Sequence, residues 1–252
     1  MMDTCGRFVV VIPAYNEAAT ITDLVARVKR LVTDVIVVDD GSIDQTASRL
    51  EGRDVTLLRN ETNSGKGASL MRGFAAALKL QPDGVITLDG DLQHSPEDIP
   101  RLIVAARDYP NSIILAARLR ERSAAPRLRR FANRFADFWI SWAAGYPLVD
   151  SQSGYRIYPR SLLEQLTIPH DSEHGFVFES EALIEAARLG FPCQSVPIAS
   201  VYRPSARESH YLPARDTWRI VRMVAGRLFR AGMHPRGLLH AVGVLRLRLP
   251  PI

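Results

Sequence analysis

The feature that most constrains the fold is an alternation of short apolar runs with helix-like patterns across the first 117 residues. The runs are rich in Val and Ile, which is typical of strands buried on both faces of a parallel sheet. Between them, apolar residues recur at the three- and four-residue spacing of amphipathic helices. The runs predict strands at 8–12, 35–38, 55–58, 85–88 and 112–116. Together they predict an α/β fold with a mostly parallel sheet flanked by helices.

The alternation loosens after residue 120. There the pattern predicts helices at 127–144, 178–189 and 214–231 and a strand at 196–203. The sequence contains no internal repeat and no low-complexity linker. We therefore predict one domain over residues 1–231, with halves at about 1–117 and 118–231, followed by a C-terminal tail at 232–252.

Arginine is unevenly distributed along the chain, although the net charge is only +5. Residues 118–134 hold seven Arg against one acidic residue, and residues 203–252 hold ten Arg against two. The remainder carries a charge of −9. Basic tracts of this kind suggest an anionic partner, such as a phosphate group or a membrane surface. The acidic remainder and the lack of a recognised nucleic-acid-binding motif in the sequence argue against nucleic acid.

Polar clusters follow three of the predicted strands. They lie at 13–17, 39–42 and 89–93. One such cluster could be an ordinary turn with a helix cap, since Asp, Ser and Asn favour both. In open α/β sheets, however, ligands bind beyond the carboxyl ends of the strands, so three clusters at one edge predict a binding site.

The third cluster predicts a metal site. In extended backbone, side chains alternate between faces, so Asp89, Asp91 and Gln93 would point the same way. Two carboxylates and an amide oxygen suit Mg²⁺ or Mn²⁺ rather than zinc. The alternative interpretation is an Asx turn that leads into a helix capped by Ser95, with Pro96 in its first turn. Capping explains Ser95 and Pro96 but leaves the three oxygen-bearing side chains unexplained.

Four ordered motifs resemble those of the family 2 glycosyltransferases, most closely the dolichyl- and polyprenyl-phosphate sugar synthases. They are VVIPAYNE at 10–17, VVDDGS at 37–42, NSGKG at 63–67 and DGDLQH at 89–94, and the resemblance continues through DSQSGYR at 150–156 and FESE at 178–181. The resemblance implies a GT-A fold, a Rossmann-like sheet in which residues 1–117 bind a nucleotide sugar and residues 118–231 bind the acceptor.

The resemblance also implies roles for the strand-end residues. Those expected to hold the nucleotide-diphosphate sugar, UDP- or GDP-linked, are Pro13, Tyr15, Glu17, Asp39, Asp40, Lys66 and Asp89. The side chains of Asp89, Asp91 and Gln93 are expected to bind the Mg²⁺ or Mn²⁺ that bridges the diphosphate. Arg203, at the end of the predicted strand 196–203, is expected to reach the same diphosphate. The Lys of the synthases is replaced in the following segment by His210.

The acceptor determines which other groups are needed for an inverting transfer. A lipid phosphate, such as polyprenyl phosphate, is already an anion, and Arg118, Arg129 and Arg130 are candidates to bind it. A hydroxyl acceptor on a glycolipid, aryl-polyene-type lipid or saccharide would need a carboxylate base, for which Asp150 and Glu179 are the candidates. A non-catalytic sugar-nucleotide-binding protein is the third interpretation.

The predicted helix at 127–144 is basic in its first half and aromatic in its second. This composition is typical of helices that lie at a membrane surface, although the aromatic residues could equally pack into the core. The longest apolar run, residues 138–149, is too short to span a bilayer, and the run at 8–12 is too short for a signal peptide. With the resemblance, this predicts a cytoplasmic protein in peripheral contact with the inner face of the membrane.

Overall fold

The structure is a computed structural model that describes residues 6–118, 127–168, 178–199, 213–230 and 232–242, without the side chains of 127–133, 213–220, 230 and 236. In these residues, seven strands form one sheet in the order β3-β2-β1-β4-β6-β5-β7. The strands are β1 Phe8–Ala14, β2 Asp34–Asp39, β3 Thr56–Arg59, β4 Gly84–Thr87, β5 Ile113–Ala117, β6 Arg156–Pro159 and β7 Cys193–Pro197. Neighbouring strands are parallel except at β6, which is antiparallel to both β4 and β5.

Helices cover both faces of this sheet. They are α1 Ile21–Lys29, α2 Lys66–Leu78, α3 Ile99–Asp108, α4 Arg127–Ala144, α5 Arg160–Leu163, α6 Phe178–Arg188, α7 Pro213–Arg230 and α8 Pro235–Ala241. Alternate residues of β1 explain the two layers: Val9 and Val11 pack into a core with α2, α4 and α6, whereas Val10 and Ile12 pack with α1 and α3. The apolar runs of β1, β2, β4 and β5 therefore form strands buried on both faces, as predicted, whereas β3 lies at the edge of the sheet and is half-buried or exposed.

The first five predicted strands are confirmed, each within two residues of its predicted bounds, and the three predicted helices of the second half are present. The strand predicted at 196–203 is wrong in its position. The strand in the structure, β7, ends at Pro197, which pairs with Ala117 at the end of β5. The Ile198 N–H still donates a hydrogen bond to the Ala117 carbonyl oxygen at 2.8 Å, and residues 200–203 of the predicted strand lie outside the described residues.

The end of the described chain packs against α4. Trp142 donates a hydrogen bond from its indole Nε1 to the carbonyl oxygen of Met233, at 2.9 Å. A Cβ built on Gly237 would meet both His234 and the Trp142 carbonyl oxygen. The close approach of α8 to α4 therefore requires a glycine, and residues that the sequence assigned to a tail form a packed helix.

The aromatic half of α4 faces inward. Trp142 is buried, and Phe138 and Trp139 pack against the same core, with the Trp139 and Trp142 rings stacked at 5.2 Å. Only Phe135 is exposed among the aromatic side chains of α4 that the structure describes. The expectation that this helix lies on a membrane is therefore wrong for Phe138, Trp139 and Trp142, which form core as the alternative proposed. No helix in the described ranges has the length and apolar character needed to span a bilayer.

Candidate active site

The three polar clusters meet at one edge of the sheet, because β2, β1 and β4 are parallel neighbours. Hydrogen bonds tie the loops together: the Asn16 N–H donates to Ser42 Oγ at 2.8 Å, and Thr20 Oγ1 donates to the Gly90 carbonyl oxygen at 2.7 Å. Asn16 adopts a left-handed φ of 56°, which a short polar side chain tolerates best. The predicted convergence at this edge is confirmed.

The first cluster forms one wall of the site. Pro13 is buried within β1, and Tyr15 and Glu17 follow it, half-buried, in the loop that leads to α1. Glu17 is fixed through its N–H, which donates to Thr46 Oγ1 at 2.8 Å. A Cβ on Gly90 would lie 3.1 Å from the Glu17 Cγ, so the loops after β1 and β4 are in contact.

Asp39 has a carboxylate oxygen without a hydrogen bond. The residue is fully buried, and its Oδ1 accepts a hydrogen bond from the Ser42 N–H at 3.0 Å. Its Oδ2 lies 3.2 Å from Arg59 Nε but forms no hydrogen bond among the described residues. A buried oxygen in this state is costly to leave unsatisfied and suits a donor on a ligand.

Asp40 organises the loop that precedes α2. Its Oδ1 accepts hydrogen bonds from Asn60 Nδ2 at 2.7 Å and from the Ser64 N–H at 2.9 Å, and its Oδ2 accepts from the Gly65 N–H at 2.9 Å. Gly65 has a φ of 89°, which favours glycine. In this structure Asp40 therefore fixes the start of α2, and with it the position of Lys66.

Lys66 forms the electrostatic centre of the site. Its Nζ lies 2.6 Å from Asp89 Oδ1 and 2.6 Å from Glu179 Oε1. Burial alone would lower the pKa of Lys66, but the charges of Asp89 and Glu179 outweigh burial and raise that pKa well above its usual value. The pKa of Asp89 is lowered despite its burial, because the Lys66 ammonium stabilises the carboxylate. The shifts in pKa of Lys66 and Asp89 therefore both favour the charged forms of this pair.

The backbone after β4 turns and is not extended. Gly90 and Asp91 form a turn, and Leu92 has a left-handed φ of 57° with its side chain buried in the core. The Asp91 Oδ1 accepts a hydrogen bond from the Gln93 N–H at 3.0 Å, which is an Asx turn. The expected face alternation of Asp89, Asp91 and Gln93 is therefore wrong, although the turn keeps the three residues together at the edge of the sheet.

The chemistry of this turn fits a hard divalent cation. Burial raises the pKa of Asp91, and the neighbouring charge of Asp89 raises it further, whereas the Lys66 ammonium acts in the opposite direction. Among the described residues, no group of three or more His, Cys, Asp and Glu side chains is placed to hold a metal. The assignment of Asp89, Asp91 and Gln93 as metal ligands stays a prediction, and a cation bound by them would need further ligands from substrate.

His94 and Ser95 link the turn to α3. His94 is buried against the Tyr155 ring, with centroids 5.4 Å apart, and burial lowers its pKa to about 4. Ser95 stands at the predicted cap position, but its side chain makes no cap hydrogen bond and donates instead to the Glu97 carboxylate. Ser95 therefore stands at the predicted cap position, but its hydroxyl does not form the predicted cap hydrogen bond.

Arg118 and Asp150, predicted for different roles, bind each other. Arg118 donates from Nη2 to Asp150 Oδ1 at 2.8 Å and from Nε to Oδ2 at 2.9 Å, and its backbone N–H also donates to Oδ2. Burial lowers the pKa of the Arg118 guanidinium, but the Asp150 carboxylate outweighs it and raises the pKa. This bidentate pair lies at the end of β5, where the two halves of the chain meet.

Two site-building residues were missed by the sequence reasoning. Asp137 accepts hydrogen bonds from the backbone N–H groups of Asp150 and Ser151, at 3.1 and 2.9 Å, and so holds Asp150 at its left-handed φ of 58°. The sequence does contain a signal for Asp137, because it is the one charged residue between 135 and 149. Arg156 is fully buried and donates to the carbonyl oxygens of Ser151, Ser153 and Glu179. It ends the motif DSQSGYR at 150–156, but nothing in the sequence indicates that its side chain is buried.

The structure does not describe the side chains of four predicted residues. Arg203 and His210 fall in the segment 200–212, which is outside the described residues. Arg129 and Arg130 belong to α4, whose side chains are described only from residue 134 onward.

The fold and the acidic turn after β4 define a GT-A glycosyltransferase. The structure is similar to glucosyl-3-phosphoglycerate synthase from Mycobacterium tuberculosis, solved in complex with Mn²⁺, uridine-diphosphate-glucose and phosphoglyceric acid. The TM-score is 0.67 at 24% identity, and the match covers 90% of this chain and 80% of that one. The profile of Glycosyl transferase family 2 matches residues 9–185. The chain therefore belongs to glycosyl transferase family 2 and is a glycosyltransferase.

Relatives with names that describe lipid-phosphate acceptors match most of the chain. The UDP-N-acetylglucosamine–dolichyl-phosphate N-acetylglucosaminyltransferase of Methanococcus voltae is 28% identical, over 82% of this chain and 88% of that protein. The undecaprenyl-phosphate mannosyltransferase of Micrococcus luteus is 29% identical, over 78% and 84% respectively. The polyprenol monophosphomannose synthase of Mycolicibacterium smegmatis is 29% identical, over 78% of each chain.

Proposed function

We propose that this protein transfers a sugar from a nucleoside-diphosphate sugar to a polyprenyl-phosphate acceptor, with inversion at the anomeric carbon. The observation that carries the acceptor class is the set of relatives named for dolichyl, undecaprenyl and polyprenol phosphate, each matched over more than three quarters of this chain. The donor class follows from the chemistry of the sheet edge, as argued next.

The loops after β1, β2 and β4 form the donor site. The unsatisfied Asp39 Oδ2 would accept a hydrogen bond from the base or ribose of the nucleotide, and Tyr15 and Glu17 flank the same edge. Asp89, Asp91 and Gln93 would hold Mg²⁺ or Mn²⁺. The Mn²⁺ and uridine-diphosphate-glucose bound by the Mycobacterium tuberculosis enzyme support this assignment and favour UDP over GDP.

The charges at the site explain how such a reaction would proceed. When bound, the cation would neutralise the negative charge that develops on the departing diphosphate. Asp89 and Asp91 would hold the cation close to the diphosphate. Asp40 fixes the loop before α2 and so keeps Lys66 near the same group. The acceptor phosphate attacks from the opposite face of the sugar, placed by arginine side chains, for which Arg118, Arg129 and Arg130 are the candidates. A phosphate is already an anion, so the step needs no proton acceptor.

The pairing of the two candidate bases supports a phosphate acceptor over a hydroxyl. Asp150 is bound bidentately by Arg118, and Glu179 lies 2.6 Å from the Lys66 ammonium. Each carboxylate is thus already in direct contact with a cationic side chain, which occupies oxygen atoms that a hydroxyl acceptor would have to reach. Neither group is therefore arranged to take a proton from a hydroxyl, whereas a phosphate acceptor requires no such group.

A peripheral membrane contact would bring the site to its lipid. Exposed apolar side chains concentrate on the segment from the end of α7 to α8, which we call the α7–α8 apolar face: Phe229, Met233, Leu239 and Val242. Phe229 is 83% exposed, although α7 and α8 otherwise pack inward through Val224, Leu228 and Leu238. The excess of arginine between 203 and 252 would complement an anionic membrane leaflet.

The experiment that tests this function follows a radiolabelled sugar into lipid. Purified protein, Mn²⁺ and a panel of UDP- and GDP-sugars are incubated with short-chain polyprenyl phosphate, with the matching polyprenol, or without acceptor. We expect label in the organic phase with polyprenyl phosphate alone. Asp91→Asn, which keeps the Asx-turn acceptor oxygen but loses the charge, should reduce transfer at least about 100-fold without unfolding the protein. Transfer of label to polyprenol would overturn the proposal. So would the absence of labelled lipid with every donor in the panel.

A further inference from the structure

One lysine connects the two halves of the molecule at the site. Lys66 begins α2, Asp89 follows β4 in the nucleotide-sugar half, and Glu179 lies in the first turn of α6 in the acceptor half. Both carboxylates approach the same Nζ to 2.6 Å. The described structure therefore holds the two halves together at this point through a single positive charge.

A neighbouring segment packs closely against this contact, although the side chains of Lys66 and Asp89 are each 28% exposed. A Cβ on Gly154 would lie 2.7 Å from Lys66 Nζ and 2.8 Å from Asp89 Oδ2, so the DSQSGYR segment presses on the pair. Arg156 donates to the Glu179 carbonyl oxygen at 2.7 Å and fixes the start of α6. The lysine thus has little freedom to move without giving up one of its two partners.

The charges of the side chains around Lys66 favour the binding of a second cation. Lys66 is the single ammonium between the Asp89 and Glu179 carboxylates, and its charge also acts on Asp91, while Arg118 and Asp150 neutralise each other. A divalent cation bound by Asp89 and Asp91 would lie within a few ångströms of the Lys66 ammonium. Two such charges repel strongly in a partly buried site. They would compete for the same Asp89 carboxylate.

We propose that Lys66 is a built-in competitor of the divalent cation: it holds Asp89 to Glu179 when the cation is absent and gives up Asp89 when the cation binds. Loading of the donor site then loosens the link between the two halves and leaves Lys66 with Glu179. The proposal rests on the metal assignment within the proposed function. It makes Lys66 a positioning residue for Asp89 and Glu179.

The test measures Mn²⁺ binding without any sugar nucleotide or acceptor, by the electron paramagnetic resonance signal of free Mn²⁺ and by calorimetry. Lys66→Met removes the ammonium and keeps the length of the side chain, so it should tighten the Mn²⁺ dissociation constant about tenfold or more. Lys79→Met removes an exposed lysine just beyond the same helix and should leave the constant unchanged. An equal or weaker affinity of Lys66→Met overturns the proposal.

Thermal unfolding supplies a second readout. In chelator, Lys66→Met should melt below the wild type, because Asp89 and Glu179 lose their counter-ion. Mn²⁺ should then raise the melting temperature of Lys66→Met by more than it raises that of the wild type, because the cation replaces the missing charge. An equal rise in the two proteins would contradict competition.

Glu179→Gln keeps the proposal testable if Lys66→Met does not fold. With Glu179 neutral, Lys66 binds Asp89 alone, and Mn²⁺ affinity should fall severalfold. Adding Lys66→Met to Glu179→Gln should remove that loss, and a loss that persists in the double variant counts against the proposal. These measurements need no turnover. If Lys66 competes with Mn²⁺ as expected but no sugar is transferred, the proposed function alone is rejected. If sugar is transferred but Lys66 does not compete with Mn²⁺, this inference alone is rejected.

Discussion

At the scale of single residues, Asp137 shows how one buried carboxylate shapes a site it does not line. It accepts two backbone N–H groups and the Ser151 hydroxyl, and so stabilises the left-handed turn from which Asp150 reaches Arg118. Burial raises the pKa of Asp137, whereas these hydrogen bonds act in the opposite direction. The Asp150 conformation therefore depends on a side chain from α4.

Asp137→Asn should lower the free energy of unfolding by about 1–3 kcal/mol, because the amide turns a donor toward a backbone N–H and leaves it unsatisfied. Urea denaturation of the two proteins measures the difference. Asp108→Asn is the control, since Asp108 is exposed at the end of α3 and should change stability by less than about 0.5 kcal/mol. Equal losses in both variants would show that the turn does not depend on Asp137.

Adjacent residues show what sequence can and cannot predict at this scale. The resemblance implies that Asp39 and Asp40 both hold the nucleotide, and in the structure their contacts differ: Asp39 Oδ2 forms no hydrogen bond among the described residues, whereas both Asp40 oxygens accept hydrogen bonds from the loop before α2. The hydrogen-bond partners of Asp40 are 20 or more residues away from it in the sequence. Residue type and position identify the strand-end cluster, but only tertiary contacts determine which carboxylate remains available.

At the scale of elements, the packing of α2 on the sheet depends on a glycine. A Cβ on Gly73 would overlap Val11 Cγ1 and lie 3.2 Å from Val38 Cγ2, so α2 approaches β1 and β2 closely only because this residue has no side chain. The approach matters for function because α2 begins with Lys66. Any displacement of the helix moves the ammonium relative to Asp89.

Gly73→Ala should therefore destabilise the protein by about 1–3 kcal/mol through overpacking, despite the better helix propensity of alanine. Gly226→Ala is the matched control: Gly226 lies in α7 with no atom within 4 Å of its built Cβ. That substitution should stabilise by up to about 1 kcal/mol. The two free energies of unfolding, measured by chemical denaturation, should have opposite signs relative to the wild type, and equal signs would refute the packing argument.

The elements that sequence predicted best are those with continuous apolar runs, such as β1 and β2. The strand β6 was missed because its sequence, Arg156-Ile-Tyr-Pro159, is short and begins with a charged residue. That arginine is fully buried, since carbonyl oxygens of the surrounding loops satisfy its guanidinium. Pattern rules place arginine at the surface, so they fail where a fold supplies backbone acceptors for it.

At the scale of the whole molecule, the proposed membrane contact rests on the uneven charge distribution and on the α7–α8 apolar face. Sequence reasoning placed this contact on the aromatic half of α4, because composition cannot tell an interfacial aromatic residue from a core one. Burial makes the distinction: the tryptophans of α4 contact the core, whereas Phe229 and Met233 are exposed.

Wild-type protein should float with vesicles that contain anionic phospholipid, and less with neutral vesicles or at high salt. Phe229→Ser combined with Met233→Ser should reduce the bound fraction about tenfold, because two apolar side chains no longer leave water. Val104→Ser, which removes a single exposed apolar residue on α3, should not reduce it. Equal binding of all three proteins would exclude the α7–α8 apolar face as the contact.

The most direct test of the account is anomalous diffraction from crystals grown with Mn²⁺ and a nucleoside-diphosphate sugar. We predict a manganese peak at the turn after β4, about 2.0–2.3 Å from carboxylate oxygens of Asp89 or Asp91, with the diphosphate as a further ligand. A nucleotide bound at this edge without manganese, or a manganese peak that neither aspartate contacts, would contradict the central claim that this acidic turn holds the cation for glycosyl transfer.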